Sequence, residues 1–341
     1  MTPVEALEKA IYFLDRELAP ANKVRAFKNA LAAIDALGPD ETDARARAGT
    51  ITETAGIGKS TGRVITEAVL DIDDGYLAEL DARTAIESGV GADLRTSLRG
   101  DCHMHSTWSD GGAPLETMAR TAQMLGHEYV VATDHSARLT VAHGLNEERL
   151  AQQLDEVARL NDHLSPFRVL SGMEVDIFAD GSLDLADHML ERLDVVVASV
   201  HSKMAMPAEL MTKRLVTAAA NPHVDILGHM TNRKLSGTGR PPSEFDAELV
   251  FAACSRFDTA VEINCRPERQ DPPEELLELA VEWDCYISID TDAHAPGQLE
   301  WQAFGCDKAV RCGVNPDKII NTWSADDLVA WTTSKAKTRY A

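Results

Sequence analysis

Positive charge is scarce in this chain. Its 341 residues include 33 Lys and Arg against 55 Asp and Glu, which gives a formal net charge of −22. A protein that holds nucleic acid by general electrostatic attraction needs clustered basic residues, so this balance argues against that class. It does not exclude an enzyme that handles phosphate, because bound divalent cations reverse the field at a site rich in carboxylates.

Long apolar runs and a secretion signal are also missing. No stretch reaches the length that spans a bilayer, and the first residues lack the basic, apolar and small-residue order of a signal peptide. We therefore expect a cytoplasmic protein without a membrane partner. The six cysteines are Cys102, Cys254, Cys265, Cys285, Cys306 and Cys312. No two of them have Cys-x-x-Cys spacing, which favours reduced and buried thiols.

Strand-like and helix-like patterns alternate from residue 99 onward. With 44% hydrophobic residues the chain can bury a full core, and its length suits two domains or one barrel with an appendage. Seven apolar runs are candidate strands, which end at or near His103, His135, Glu174, His201, His229, Asn264 and Asp292. Helical patterns between them cover residues 115–125, 147–164, 207–220, 242–256 and 273–283. This α/β alternation predicts a parallel barrel with its chemistry at the carboxyl ends of the strands.

A glycine-containing segment lies in the helical first part of the chain. Its Gly58-Lys59-Ser60 suggests a nucleotide-binding loop, but that loop needs a glycine where Glu53 stands, so we reject this interpretation. Two interpretations stay open. The segment forms the turn of a helix-hairpin-helix, in which Gly56 and Gly58 let the backbone approach a DNA phosphate, or it forms a tight turn without a ligand.

The composition changes between the helical part and the barrel. Apolar residues recur at helical spacing over residues 4–37, whereas residues 71–98 are acidic and interrupted by glycines. We predict a helical domain over residues 1–85, a linker over 86–98 and a barrel domain over 99–341.

The predicted strand ends are rich in metal-ligating side chains. Alternate residues of a strand point the same way, so His103 and His105 can direct two imidazoles at one ion. The candidate ligands are His103, His105, Asp110, His135, Glu174, His201, His229, Asp292 and His294. Nine donors are too many for one ion, so we expect two or three, with Glu174 as a bridging carboxylate. Mixed nitrogen and oxygen ligands suit Zn, Mn or Fe.

Two close metal ions that share a hydroxide would promote an in-line displacement at phosphorus, which predicts a phosphoesterase. We expect Glu174, Asp292 and His105 to take part in this chemistry. The non-bridging phosphate oxygens need positive partners, and the candidates are Lys203, Arg233, Arg266 and Arg269. Each of these cations has the alternative role of a surface salt-bridge partner.

These motifs resemble those of the PHP (polymerase and histidinol phosphatase) metallophosphoesterases. They are Asp101–Gly111, Thr133-Asp-His135, Gly172–Asp184, Ala198–Ser202, Asp225–His229 and Thr291-Asp-Ala-His294. The likeness is strongest to the PHP domain of bacterial family X DNA polymerases, and it includes Val261-Glu-Ile-Asn264 and Ile320-Asn-Thr-Trp323. The resemblance implies a distorted (β/α)7 TIM-like barrel with a trinuclear site, held by the nine candidate ligands.

The first part of the chain resembles the small helical DNA-binding domain of family X polymerases, through residues 23–27 and 54–59. This resemblance implies DNA contacts at Gly56, Gly58 and Lys59. The linker leads directly into the barrel without room for a polymerase palm, so we expect no polymerase activity. Val64 stands where the animal enzymes carry a lyase lysine, which argues against lyase activity.

Three functions remain possible. The leading hypothesis is a metal-dependent phosphoesterase that trims DNA ends as a 3′-5′ exonuclease or a 3′-phosphatase. The alternative is a small-molecule phosphomonoesterase, such as a histidinol-phosphate or nucleotide phosphatase, which the acidic net charge favours. A non-catalytic scaffold with a vestigial barrel is the weakest hypothesis, because every motif keeps its ligands. The oligomeric state stays open.

Overall fold

The computed structural model describes residues 1–87, 89–236 and 239–339. The chain divides into two compact units. The first comprises Met1–Glu87 with Pro296–Gln298, and the second comprises Ser88–Ala295 with Leu299–Ala341. The division into a helical domain over residues 1–85, a linker over 86–98 and a barrel domain over 99–341 stays a prediction.

The first unit is helical. Its helices are α1 (Pro3–Arg16), α2 (Ala21–Leu37), α3 (Pro39–Ala48), α4 (Lys59–Val69) and α5 (Tyr76–Thr84). Helix α1 begins where it does because the Thr2 side chain accepts the backbone N–H of Glu5, while the Glu5 carboxylate accepts that of Thr2. Apolar residues on the inner faces of the helices, including Leu7, Phe27 and Ile65, form a common core.

The predicted turn between helices lies between α3 and α4. Gly56 has a φ of +90°, which only glycine adopts without strain, and Ile57 after it is buried in the core of the unit. Gly58 precedes the first residue of α4 and donates its backbone N–H to Thr61 Oγ1. Gly56, Gly58 and Lys59 are exposed at this turn.

The second unit contains seven parallel strands in the order of the sequence, which confirms the predicted barrel. The strands are β1 (Gly100–Met104), β2 (Tyr129–Ala132), β3 (Arg168–Asp176), β4 (Val195–Ser199), β5 (Ile226–Leu227), β6 (Ala260–Asn264) and β7 (Ile287–Asp290). Just past the ends of β1 and β7, His105 N donates to Ala293 O and Asp292 N donates to His103 O. These bonds bring the first and last strands together at the carboxyl end.

One helix of this unit precedes β1, and the others follow strands. The helices are α6 (Ala92–Ser97), α7 (Leu115–Met124), α8 (Glu147–Leu164), α9 (Asp187–Leu190), α10 (Ala208–Ala219), α11 (Ala247–Phe257), α12 (Glu274–Glu282), α13 (Gln302–Arg311) and α14 (Ala325–Arg339). The predicted helix over residues 242–256 begins later than expected, at Ala247. Asp246 precedes it and its side chain accepts the N–H of Leu249, which fixes this start.

The strands are buried on both faces, as parallel strands in a barrel must be. Alternate residues separate the two sides, since Val130 and Val169 belong to a core with α7 and α8, while Val131 and Leu170 belong to another core with β4 and β5. All six cysteines are buried and free of disulfide bonds. Across the described residues, no helix is both long enough and apolar enough to traverse a bilayer.

Asp15 provides a test of the helical unit. It is buried, and burial raises the pKa of its carboxyl to about 7, with a partly opposing effect from Lys28. The unfolded pKa is about 3.9, so the folded state holds a proton that the unfolded state has released. Stability is therefore lost as the pH rises from about 4 to about 7. Asp15→Asn removes this loss, and its gain in free energy of unfolding is expected to be roughly 2–3 kcal/mol larger at pH 8 than at pH 5.

Denaturant unfolding at the two pH values measures this difference. Asp35→Asn, which makes the same change on α2, is the control. An equal effect of Asp15→Asn at pH 5 and pH 8 contradicts the prediction.

Candidate metal centre

The structure brings all nine predicted ligands to the carboxyl end of the barrel. His103 and His105 lie at the end of β1, Glu174 lies in β3, and His135, His201, His229, Asp292 and His294 follow other strands. Asp110 reaches the cluster from the loop between β1 and α7, where its Oδ1 lies 3.4 Å from His294 Nε2 and 3.6 Å from His135 Nε2. Parallel strand topology causes this convergence, because all carboxyl ends meet at one rim.

Glu174 lies at the centre of the cluster and is 1% exposed. Five imidazoles surround its two oxygens. Its Oε1 lies 2.9 Å from His229 Nε2, 3.2 Å from His201 Nε2 and 3.5 Å from His103 Nε2. Its Oε2 lies 2.7 Å from His135 Nδ1 and 3.6 Å from His105 Nε2. A carboxylate with imidazoles on both oxygens has the arrangement expected of a ligand shared between ions.

Three groups of described side chains have ligand atoms within 4.8 Å of one another and could each hold a metal ion. The groups are His105 with Asp110, His135 and His294; His103 with His105 and Glu174; and His135 with Glu174 and His201. Each group shares a member with another group, so ions held in them would be close neighbours. Two predicted ligands lie beside these groups, since His229 contacts Glu174 and Asp292 Oδ1 lies 3.3 Å from His105 Nε2.

Unpaired polar atoms in the cluster also fit metal binding. His201 Nε2 and Glu174 Oε2 are buried and, despite their short contacts with Glu174 Oε1 and His135 Nδ1, neither makes a well-directed hydrogen bond in the described part of the chain. Buried polar atoms without partners are costly, and the bound group that satisfies a nitrogen and a carboxylate oxygen together is a cation. The donor set of imidazoles and carboxylates is the one that Zn, Mn and Fe use.

The surroundings shift the pKa values of two histidines of the cluster in opposite directions. Burial alone lowers the pKa of His103, but the carboxylates of Glu174 and Glu262 outweigh it and raise the pKa well above its usual range. Burial, with His294 and His135 nearby, holds the pKa of His105 well below its usual range. Burial opposes ionisation of Glu174, but the surrounding imidazoles outweigh it and hold its pKa low. The site therefore keeps ionised carboxylates among charged and neutral imidazoles at neutral pH.

Asp134 orders the loop that carries Asp110. It is fully buried and its carboxylate accepts hydrogen bonds from the backbone N–H and the hydroxyl of both Ser106 and Ser109, and from Gln153 Nε2. Five donors on one carboxylate fix the turn after β1. The sequence alone gives Asp134 no role of its own, although it stands next to His135 in the Thr133-Asp-His135 motif.

A cavity of about 280 Å³ lies beside the cluster, and cationic side chains line it. Arg233, Arg266 and Arg269 are among them, as the sequence suggested, and Lys234 and Arg240 also line it. Arg266 donates to the backbone oxygen of Asp292 and contacts His294 Nδ1, while Arg269 Nε lies 3.5 Å from Asp292 Oδ2.

Two sets of predicted contacts lie elsewhere. Lys203 is exposed and is not one of the described residues that line the cavity. Gly56, Gly58 and Lys59 belong to the first unit, at the turn before α4. The sequence did not predict Lys234 and Arg240, which pair with each other in an isolated antiparallel bridge, because no periodic pattern gives the direction of their side chains.

The barrel and its metal-ligating rim, together with a match to the PHP family, identify a hydrolase that acts on phosphoester bonds. The family model of the PHP domain matches residues 101–266. A probable phosphatase of Caldicellulosiruptor saccharolyticus is 30% identical over 207 residues, which cover 58% of this chain and 80% of that protein. The chain belongs to the PHP family.

Other proteins extend the comparison. The DNA polymerase/3′-5′ exonuclease PolX of Bacillus subtilis is 39% identical over 234 residues, which cover 69% of this chain. The matched region spans 41% of the length of that relative. A solved structure of histidinol phosphate phosphatase from Lactococcus lactis, with zinc, L-histidinol and phosphate, is 15% identical with a TM-score of 0.45, and the match covers 64% of this chain and 94% of that one.

Proposed function

We propose that this protein hydrolyses phosphoester bonds at DNA ends, as a 3′-5′ exonuclease or a 3′-phosphatase, with two or three divalent ions of Zn, Mn or Fe. The observation that carries the proposal is the position of Glu174, whose two oxygens face five imidazoles in overlapping ligand groups. The nine residues predicted as ligands are those that would hold the ions.

Divalent ions held by these residues would supply Lewis acidity and would lower the pKa of bound water, and both effects promote phosphoester hydrolysis. The protein's own residues bind and orient the substrate. Arg233, Arg266 and Arg269 offer guanidinium donors for phosphate oxygens at the cavity wall. Arg266 is held by Glu268, whose Oε1 accepts from its Nε and Nη2, so its guanidinium is preorganised rather than mobile.

Two features support DNA as the substrate. The B. subtilis relative is named a DNA polymerase and a 3′-5′ exonuclease, and 69% of this chain aligns with it. In the first unit, Lys59 and the glycine turn before α4 are exposed, and the start of a helix is suited to an anionic phosphate. A single basic turn of this kind gives affinity without requiring a positive net charge.

The alternative substrate class is a small phosphomonoester. Two observations favour it: the relatives that align over most of their own length are named probable phosphatases, and the cavity of about 280 Å³ is close to the lower limit of about 300 Å³ for small-ligand pockets. In that case the helical unit would make no contribution to turnover.

Hydrolysis of an end-labelled oligonucleotide, compared with histidinol phosphate and mononucleotides, separates the two substrates. The protein is first treated with a chelator and then supplied with Mn. We expect a higher kcat/KM for the oligonucleotide, and Lys59→Glu is expected to lower it by about tenfold without changing monoester turnover. Lys213→Glu makes the same charge change on the exposed face of α10 and is the control. Equal or faster turnover of free monoesters would establish the alternative.

A further inference from the structure

Strand β6 supplies no predicted ligand, yet it places Glu262 against the ligands of other strands. Glu262 is 1% exposed. Its Oε1 lies 2.5 Å from His103 Nδ1, and its other oxygen accepts the backbone N–H of His229 and, at 3.2 Å, the side-chain amide of Asn264. Three donors from three positions thus converge on one buried carboxylate.

The contact with His103 decides which nitrogen of that ring faces the cluster. A carboxylate accepts and cannot donate, so Glu262 keeps a proton on His103 Nδ1. The opposite nitrogen, Nε2, lies 3.5 Å from Glu174 Oε1 and 3.3 Å from His105 Nε2. The lone pair that can bind a cation is thereby fixed at Nε2, on the side of the other ligands.

Glu262 also connects two further strand ends. The backbone N–H of His229, after β5, is tied to its second oxygen. Asn264 links Glu262 to Asp292, which follows β7. Its side-chain amide nitrogen donates to Glu262 Oε2 at 3.2 Å and to Asp292 Oδ2 at 3.0 Å. One residue of β6 therefore sets the positions of ligands that come from β1, β5 and β7.

We propose that Glu262 is a positioning residue of the metal centre, which fixes the Nδ1–H tautomer of His103 and aligns His229 and Asp292 through their hydrogen bonds. This inference rests on the proposed metal-dependent function. Glutamine has nearly the same size but offers one acceptor oxygen in place of two. Glu262→Gln therefore cannot satisfy His103, His229 and Asn264 together.

The test measures metal binding directly, by titration of the chelator-treated protein with Co²⁺ and with Zn²⁺. Glu262→Gln is expected to weaken the binding of at least one ion by about 10- to 100-fold. In the Co²⁺-loaded protein we also expect a shift of the imidazole N–H signal of His103 in the proton spectrum. Asp225→Asn is the control, because it removes a buried carboxylate before β5, at the opposite end of the barrel.

The outcomes are distinct. If the unaltered protein binds no Co²⁺ or Zn²⁺, the proposed function itself fails. If it binds them and Glu262→Gln binds equally, with an unchanged His103 signal, the positioning role is overturned. Glu262→Asp is tested if the glutamine variant does not fold. It keeps the charge but is one methylene shorter, so wild-type affinity in this variant also overturns the role, and weakened affinity supports it.

Discussion

Glu174→Ala is expected to lose the ions of the two ligand groups that contain Glu174, and phosphoester hydrolysis with them. The carboxylate is the common neighbour of five imidazoles, and its loss leaves these rings without the oxygen ligand that two of the three ligand groups share. Catalysis that depends on cations held in this geometry should fall by roughly 1,000-fold or more. Elemental analysis of the purified variant, alongside a phosphoesterase assay, measures both effects.

Glu148→Ala provides a matched control for this variant. Glu148 is exposed in the first turn of α8, so the same change of side chain should leave metal content and turnover at wild-type levels. Full activity in Glu174→Ala would refute the bridging role. Loss of activity with wild-type metal content would move Glu174 from metal binding to another function in the reaction.

The stabilisation that divalent ions give the protein is expected to increase as the pH rises from about 6.5 to about 9. Burial alone lowers the pKa of His201, but the carboxylates of Glu174 and Asp176 outweigh it and raise the pKa to about 9. In the metal-free protein the bound proton stabilises the fold fully below the unfolded pKa of about 6.5, and this contribution is lost as the pH rises through about 9. An ion on the same imidazole replaces the proton, so apparent metal affinity should rise by up to roughly tenfold per pH unit across this window.

Thermal unfolding with and without Mn, at a buffered free-ion concentration, measures this dependence. The difference in Tm between the two forms should be larger at pH 9 than at pH 6.5. Asp176→Asn removes one of the carboxylates that raise the pKa of His201, so its window should end below pH 9. A metal-induced shift in Tm that is the same at every pH would contradict the prediction.

The sequence predicted the barrel and the convergence of the candidate ligands at one rim, because both follow from the pattern of strands and helices. Alternating apolar strands and amphipathic helices specify a parallel sheet, and a residue such as His201 or His229 at the end of a strand must then lie on the common rim. The pattern alone could not reveal Glu262. The sequence shows Glu262 as a carboxylate within a predicted strand but not its partner, because only the folded barrel brings its oxygens to His103.

Irregular segments limited the prediction of the substrate contacts. Lys203 has a positive φ of 52° in the turn after β4. No periodic sequence pattern predicts this conformation. Lys234 and Arg240 pair with each other in an isolated antiparallel bridge, and their side chains reach the cavity wall. Such positions depend on tertiary packing, whereas ligands at strand ends depend on the period of the strand.

Because all six cysteines are buried, their reaction with a thiol reagent reports unfolding of the protein. Burial raises the pKa of thiols such as Cys102, Cys265 and Cys285, which suppresses the reactive thiolate in the native state. A colorimetric thiol reagent added to intact protein therefore has almost nothing to attack, and each sulfur becomes available only when the chain opens. The rate of labelling therefore measures the rate at which the barrel opens. The measurement needs no engineered probe and no reductant in the buffer.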